Sequence, residues 1–229
     1  MRYSRLEALD GVGEKGIEKL KNGRVFVIGC GALGSMAAMY LAASGVGKIG
    51  IADFDTVDLS NLQRQLFFDE SNLGQSKSSV LKHRMRDINS EIEINEYGTL
   101  VNEKLAMEIF PDYDFIIDGS DNPSTKHMTS CLCEKLGKPY CIGGVRQFGG
   151  QVMSWARGHA GYKDLFGDIP ECTGLLPCSV GGVLGPAAGV VASGQAGEAI
   201  KHLTGAGKML YDKLFTFDLA DANASILGF

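Results

Sequence analysis

Three glycines stand at G-x-G-x-x-G spacing in Gly29-Cys30-Gly31-Ala32-Leu33-Gly34, and Asp53 follows 19 residues after the last of them. Glycines so spaced let backbone approach a phosphate, and an acid ~20 residues further on can accept ribose hydroxyls. The residue types therefore point to a nucleotide; the competing reading is a glycine-rich turn that only packs a helix on a sheet. Beyond the acid, Asp53-Phe-Asp-Thr-Val-Asp-Leu-Ser-Asn-Leu-Gln-Arg-Gln65 places Asn61, Arg64 and Gln65 just past a strand end. Such a unit serves NAD, FAD, S-adenosylmethionine or ATP. A nicotinamide site has little use for a fixed guanidinium there, whereas a triphosphate does. Lys77 falls in the first turn of an expected helix, where a cation opposes the helix dipole and calls for a nearby anion or simple solvation. Phosphate is the anion expected.

Groups this far apart in sequence meet only if strand ends gather them. Arg24 to Ile28 is an apolar run of strand length, Met36 to Ala43 gives a helix an apolar face, Gly45 to Gly47 ends it, and Lys48 to Ala52 reads as a second buried strand. Together they make one βαβ unit. Further helices are expected over about Gln75–Ile88, Glu103–Phe110 and Pro123–Leu136, and strands over Glu93–Glu96, Asp114–Asp118 and Pro139–Ile142. Asn122 reads as the N-cap before Pro123, and Asp118 as the acid that holds the Asp118-Gly-Ser-Asp-Asn122 loop. The strands ending at Asp53 and Asp118 should open on one crevice, because open α/β sheets bind ligands beyond their carboxyl ends. This alternation predicts an α/β fold with a Rossmann-like, doubly wound, mostly parallel sheet. From Gly143 the pattern changes. Val145 to Trp155 alternates and carries paired glycines, as an antiparallel strand or a hairpin with a bulge would. Tyr162 to Pro177 reads as a crossing loop. Val183 to Leu203 reads as a Gly/Ala-rich helix broken near Pro186, ending at a surface edge where Lys201 and a non-catalytic His202 favour the dipole. Leu214–Leu219 and Ala224–Phe229 are expected to close the sheet as antiparallel strands.

The chain has 229 residues, 45% apolar and 21% charged, which suits one α/β domain with its own core. A net charge of −5 makes general nucleic-acid binding unexpected. The N-terminus MRYSRLEALDG lacks an apolar signal region, and Val183 to Ala196 is too short and too interrupted by Gly and Pro to span a bilayer, so a cytoplasmic protein is expected. The six cysteines, at 30, 131, 133, 141, 172 and 178, form no paired C-x-x-C pattern and read as reduced thiols.

With Gly74-Gln-Ser-Lys77 and Asp118–Asn122, the Asp53–Gln65 stretch resembles the ubiquitin-activating-enzyme-like adenylyltransferases of the ThiF/MoeB/HesA group. The likeness runs from about Arg2 to about Leu203. It implies an enzyme that uses ATP and Mg2+ to adenylate the C-terminal glycine carboxylate of a small ubiquitin-like sulfur-carrier protein ending in Gly-Gly, of ThiS or MoaD type. It also implies release of pyrophosphate and sulfur transfer in cofactor biosynthesis, with thiamine thiazole formation favoured. By the same resemblance Gly29, Gly31, Gly34, Asp53, Asp55, Asn61, Arg64, Gln65, Lys77, Asp121 and Asn122 bind the nucleotide, and Asp121 holds magnesium. Arg5 of Arg2-Tyr3-Ser4-Arg5 would cross a homodimer into the partner's site, against the plain reading of a solvated arginine.

Cys178 matches a position that in some members attacks the carrier's activated carboxyl or its sulfur adduct. No Lys, Arg or His is adjacent to lower its pKa, and the alternative is a small residue in a loop over the site. Leu165-Phe166-Gly167 resembles the segment after one zinc-binding C-x-x-C pair in many relatives, but Gly161 and Asp164 stand where the cysteines would be, so no zinc is expected. The expected organisation is a single domain over 1–229: a helical arm to 22, a nucleotide-binding half over 23–142, and a carrier-binding half over 143–229 without an appended rhodanese-like domain. Three other readings stay open: activation of a tRNA threonylcarbamoyl group, an NAD-dependent oxidoreductase, and a non-catalytic module that binds a ubiquitin-like protein.

Overall fold

The computed structural model describes residues 2–168 and 181–229. β1 (Arg24–Ile28), β2 (Lys48–Ala52), β3 (Glu93–Tyr97), β4 (Phe115–Asp118) and the start of β5 (Tyr140–Arg146) pair in parallel. β6 (Gly149–Trp155), β7 (Lys213–Asp218) and β8 (Asn223–Gly228) continue the same sheet antiparallel, in the order β3-β2-β1-β4-β5-β6-β7-β8. The expected α/β, doubly wound sheet with antiparallel C-terminal strands is therefore present. Its order reverses between β1 and β4, and beyond the carboxyl ends of such strands a crevice opens.

Helices cover both faces, which is why β1 and β4 are apolar without alternation. On one face Val25, Val27, Ile49, Ile51, Phe115 and Ile117 pack against α2 (Gly13–Asn22), α3 (Gly34–Ser44), α4 (Lys77–Ile88) and α8 (Gly185–Thr204). On the other, Phe26, Ile28, Ile116 and Ile142 pack against α5 (Glu103–Ile109) and α6 (Pro123–Leu136). Two short helices, α1 (Ser4–Glu7) and α7 (Tyr162–Phe166), pack at the margins of these clusters through Leu6 and through Tyr162 and Leu165; α7 lies within the stretch read as a loop. Among the described residues no helix is long and apolar enough to cross a membrane.

Several expectations about the second half change. β5 continues through Gly143 and Gly144 to Arg146 and turns into β6 through Gln147 and Phe148 alone, with Gln147 at φ +53°. Arg146 pairs directly with Gly149, so the hairpin carries no bulge. The strand glycines answer to α8 instead: a Cβ on Gly143 or Gly150 would come within 2.5 Å of a Val191 methyl. α8 itself is unbroken, because Pro186 sits in its first turn, where its missing N–H costs nothing. Its far end is not a surface edge either. Glu198 is buried, pairs with Lys201 and accepts the Leu210 N–H at 2.9 Å, while His202 packs on the Phe115 ring and burial lowers its pKa.

Candidate active site

A cavity of about 830 Å³ opens where the sheet order reverses, lined by segments following β1, β2, β3 and β4 and by β5, β6 and both ends of α7. Its floor is the glycine turn. Gly29 takes φ +85°, and its carbonyl oxygen lies where a Cβ on Gly34 would approach to 1.8 Å, so residue 34 has no room for a side chain. Gly31 differs: a Cβ there would meet nothing nearer than Gln65 Nε2 at 3.7 Å. The protein alone would tolerate that side chain, and the open space suits a ligand. The thiol of Cys30 is buried in this turn, which pushes its pKa up, with the Asp53 charge adding to the effect. It stays protonated and is no nucleophile.

Asp53 is held against the turn, its Oδ2 accepting the Cys30 N–H at 2.6 Å and its Oδ1 the Asp55 N–H at 2.8 Å. Lys77, only 5% exposed, donates to Asp55 Oδ2 at 2.8 Å. The anion called for by a lysine in the first turn of α4 is therefore the chain's own carboxylate rather than an obligatory phosphate. Asn61 closes a capping box, its Oδ1 accepting the Asp58 N–H at 3.3 Å. Arg64 Nη1 donates to the Ser60 carbonyl at 3.0 Å, which leaves guanidinium donors for a ligand. Gln65 is 4% exposed and its Oε1 has no partner among the described residues, a vacancy that a buried amide rarely keeps once its site is filled.

Across the cavity the turn after β4 packs directly on the glycine loop, with the Gly119 N–H donating to Ile28 O at 2.9 Å. Asp118 holds this turn as expected, accepting the Ser120 N–H at 2.9 Å and its hydroxyl at 2.6 Å. Asn122 caps α6 by accepting the Ser124 N–H at 2.8 Å, although it also lines the cavity. Asp121 is exposed, lines the cavity and has no side-chain partner among the described residues. A free carboxylate there suits a hard cation carried in on phosphates.

Of the residues named from sequence, Gly29, Gly31, Asp53, Asp55, Asn61, Arg64, Gln65, Lys77, Asp121 and Asn122 line this one cavity, and Gly34 shapes its floor. Arg5 does not; it is exposed on α1, outside the cavity of its own chain. Cys178 lies outside the described residues. The positions of the missing cysteines serve α7 instead, with Asp164 Oδ2 accepting the Gly161 N–H at 2.7 Å. Sequence reasoning passed over Lys126, a cavity-lining cation, and the Thr99-Leu100-Val101 wall after β3. The Thr99–Val101 wall reaches the cavity only through the sheet, whereas Lys126 stands four residues after Asn122 on α6, close enough to the Asp118–Asn122 loop for its spacing to have pointed there.

Compared with known protein families, residues 3–227 match the ThiF family. This chain belongs to that family. It is similar to a probable adenylyltransferase/sulfurtransferase MoeZ of Mycobacterium tuberculosis, 40% identical over 223 residues that cover 95% of this chain and 57% of the relative. It is likewise similar to the adenylyltransferase and sulfurtransferase MOCS3 of Dictyostelium discoideum, 39% identical over 204 residues, 89% of this chain and 48% of the relative. The chain thus spans about half the length of the curated relatives it matches. Among solved structures, E. coli MccB with ATP superposes with a TM-score of 0.86 at 23% identity, covering 100% of this chain and 71% of that one. PaaA superposes at 0.83 and 20%, covering 99% and 72%. These likenesses establish the shared fold.

Proposed function

We propose that this ThiF-family chain is an ATP-dependent adenylyltransferase that activates the C-terminal glycine carboxylate of a small ubiquitin-like sulfur-carrier protein. The observation that carries the reading is the convergence of four separated segments, Gly29–Gly34, Asp53–Gln65, Lys77 and Asp121, on one cavity beside an open glycine position. The names of the MoeZ and MOCS3 relatives support the same chemistry. In the reaction a carrier carboxylate oxygen bonds to the α-phosphorus of ATP in line, and the bond to the bridging oxygen breaks, so that pyrophosphate departs with its electron pair. The carboxylate is already a nucleophile, and the protein needs no general base. Its task is alignment and neutralisation of charge on the phosphate oxygens. Gly31 leaves room for phosphate, Asp53 faces the ribose, and Arg64 and Lys77 supply the cations. Lys77 exchanges its bond to Asp55 for one to phosphate. Asp121 would hold magnesium, an ion that supplies further neutralisation of phosphate charge when bound.

In this reading the chain works as a cytoplasmic homodimer, with Arg5 of the partner subunit completing the phosphate site, and its carrier is of the ThiS type that serves thiamine thiazole formation. The test is incubation with ATP, Mg2+ and candidate carriers ending in Gly-Gly, followed by mass spectrometry for the acyl-adenylate and by ATP–pyrophosphate exchange. An adenylate on a ThiS-type carrier supports the full reading, and one on a MoaD-type carrier redirects the pathway. Carrier binding with no exchange for any carrier would refute adenylation and leave a binding module.

A further inference from the structure

Lys126 enters the cavity from the second turn of α6, yet its ammonium group is already engaged. It is 8% exposed, lies 3.3 Å from Asp118 Oδ1 and donates to the Ser120 carbonyl. The turn it grips is fixed residue by residue. Asp118 is fully buried, and its main-chain carbonyl accepts Gln195 Nε2 of α8 at 2.7 Å. Gly119 is wedged against the glycine loop, where a Cβ would stand 2.8 Å from the Gly34 nitrogen. Ser120 is tied back to Asp118 through both its N–H and its hydroxyl. Asn122 begins the α6 cap. Asp121 alone in this run makes no side-chain bond of its own among the described residues, so its direction is inherited from its neighbours. The Ser120 carbonyl and the Asp121 N–H belong to one planar peptide, and a cation that fixes the first fixes the second.

We propose that Lys126 is a positioning residue that locks the Ser120–Asp121 peptide and thereby aims Asp121 at the metal-and-phosphate end of the cavity. The inference rests on the reading of Asp121 as the magnesium-holding acid. A lysine that merely neutralised buried Asp118 would affect stability alone, whereas one that aims Asp121 must also set how much magnesium the site needs. Outer partners that orient a metal ligand typically alter metal affinity ~10–100-fold. The geometry adds a second expectation. Asp118 Oδ2 is buried without a partner, because a single ammonium shared with Ser120 reaches only one carboxylate oxygen. A guanidinium offers paired donors and can serve both oxygens or bridge to Ser120.

The experiment measures nucleotide affinity by calorimetry as Mg2+ is raised, for the wild type, Lys126→Met, Lys126→Arg, Asp121→Asn and the Lys126→Met/Asp121→Asn double variant. Lys126→Met should raise the Mg2+ needed for half-maximal binding ~10–100-fold. Lys126→Arg should keep the wild-type requirement. In the Asp121→Asn background the lysine substitution should add nothing, since its effect passes through that carboxylate. A folded Lys126→Met protein with the wild-type magnesium requirement overturns the proposal, as does an undiminished effect in the Asp121→Asn background. If Lys126→Met does not fold, Asp118→Asn/Lys126→Met removes both buried charges together and releases the same carbonyl, and it carries the same expectation. Wild-type binding that ignores Mg2+ would instead refute the assignment of Asp121, an outcome distinct from failure of the lysine's role.

Discussion

Replacing Lys77 by Met and Asp55 by Asn breaks the same ion pair, yet the two substitutions should rank oppositely for stability and for catalysis. The pair is asymmetric: the Lys77 side chain is 6% exposed and that of Asp55 is 56% exposed. Lys77→Met removes the buried charge, keeps an apolar stem of similar length and leaves Asp55 in water. Because one partner is so exposed, solvent screening limits the pair to about 0–1 kcal/mol, and the folded protein should lose no more than that. Asp55→Asn leaves a buried ammonium without its counter-ion, and a stranded buried group costs about 1–3 kcal/mol. For pyrophosphate exchange the order inverts. Lys77→Met deletes a phosphate cation, and by comparison with the loss of one oxyanion donor the rate should fall ~10²–10³-fold. Asp55→Asn retains the cation and frees it, so ATP should restore much of the stability lost in its absence. The assays are urea denaturation with and without ATP, and ATP–pyrophosphate exchange with saturating carrier. Near-normal exchange by Lys77→Met, or a stability loss larger than that of Asp55→Asn, would refute the argument and leave Lys77 a structural residue.

Gly34→Ala drives a Cβ to 1.8 Å from the Gly29 carbonyl oxygen, backbone against backbone, and should cost at least about 1–3 kcal/mol in thermal denaturation together with nucleotide binding. Gly31→Ala has 3.7 Å of room and should melt like the wild type but fail to bind ATP in a titration; normal binding would remove phosphate from that position. If Arg5 acts across a dimer, mixing Arg5→Ala with Lys77→Met subunits should restore exchange that neither homodimer shows, because one site of each hybrid carries both defects and the other none. His202 should give stability a pH dependence. Burial lowers its folded pKa below 6.5, so as pH falls through 6.5 the unfolded chain takes up the proton first and stability declines until the folded pKa is passed. Asp114 opposes part of this shift. His202→Phe should flatten the decline, measured by denaturation on either side of pH 6.5.

The boundaries of β1, β2 and α6 follow from neighbouring residues alone, because an unbroken apolar run, a strand-end acid, an Asn-Pro cap and a terminal glycine are local signals. The glycine loop and the acids at 53 and 121 could be assigned to one crevice for a related reason: in a parallel sheet all strand tips share one side. What stayed hidden was every feature whose cause lies across the fold. The paired hairpin glycines left an antiparallel strand or a bulged hairpin open, although a Cβ on Gly150 would meet Val191 of a distant helix and one on Gly149 the Phe217 carbonyl. Glu198 read as surface, although a turn near Leu210 folds over it.

From sequence came the fold class, the nucleotide cradle and the charged groups that would face a triphosphate, since spacing along a strand–turn–helix unit constrains where those side chains can point. The tertiary structure alone decided which of those groups are free to act. It assigned Asp55 to Lys77 and Asn61 to a cap, left Gln65 Oε1 and the Asp121 side chain without partners among the described residues, and set the Lys126 ammonium against the Ser120 carbonyl. A residue's type sets which bonds it can make, but whether those bonds are already used depends on groups that only folding brings within 3 Å.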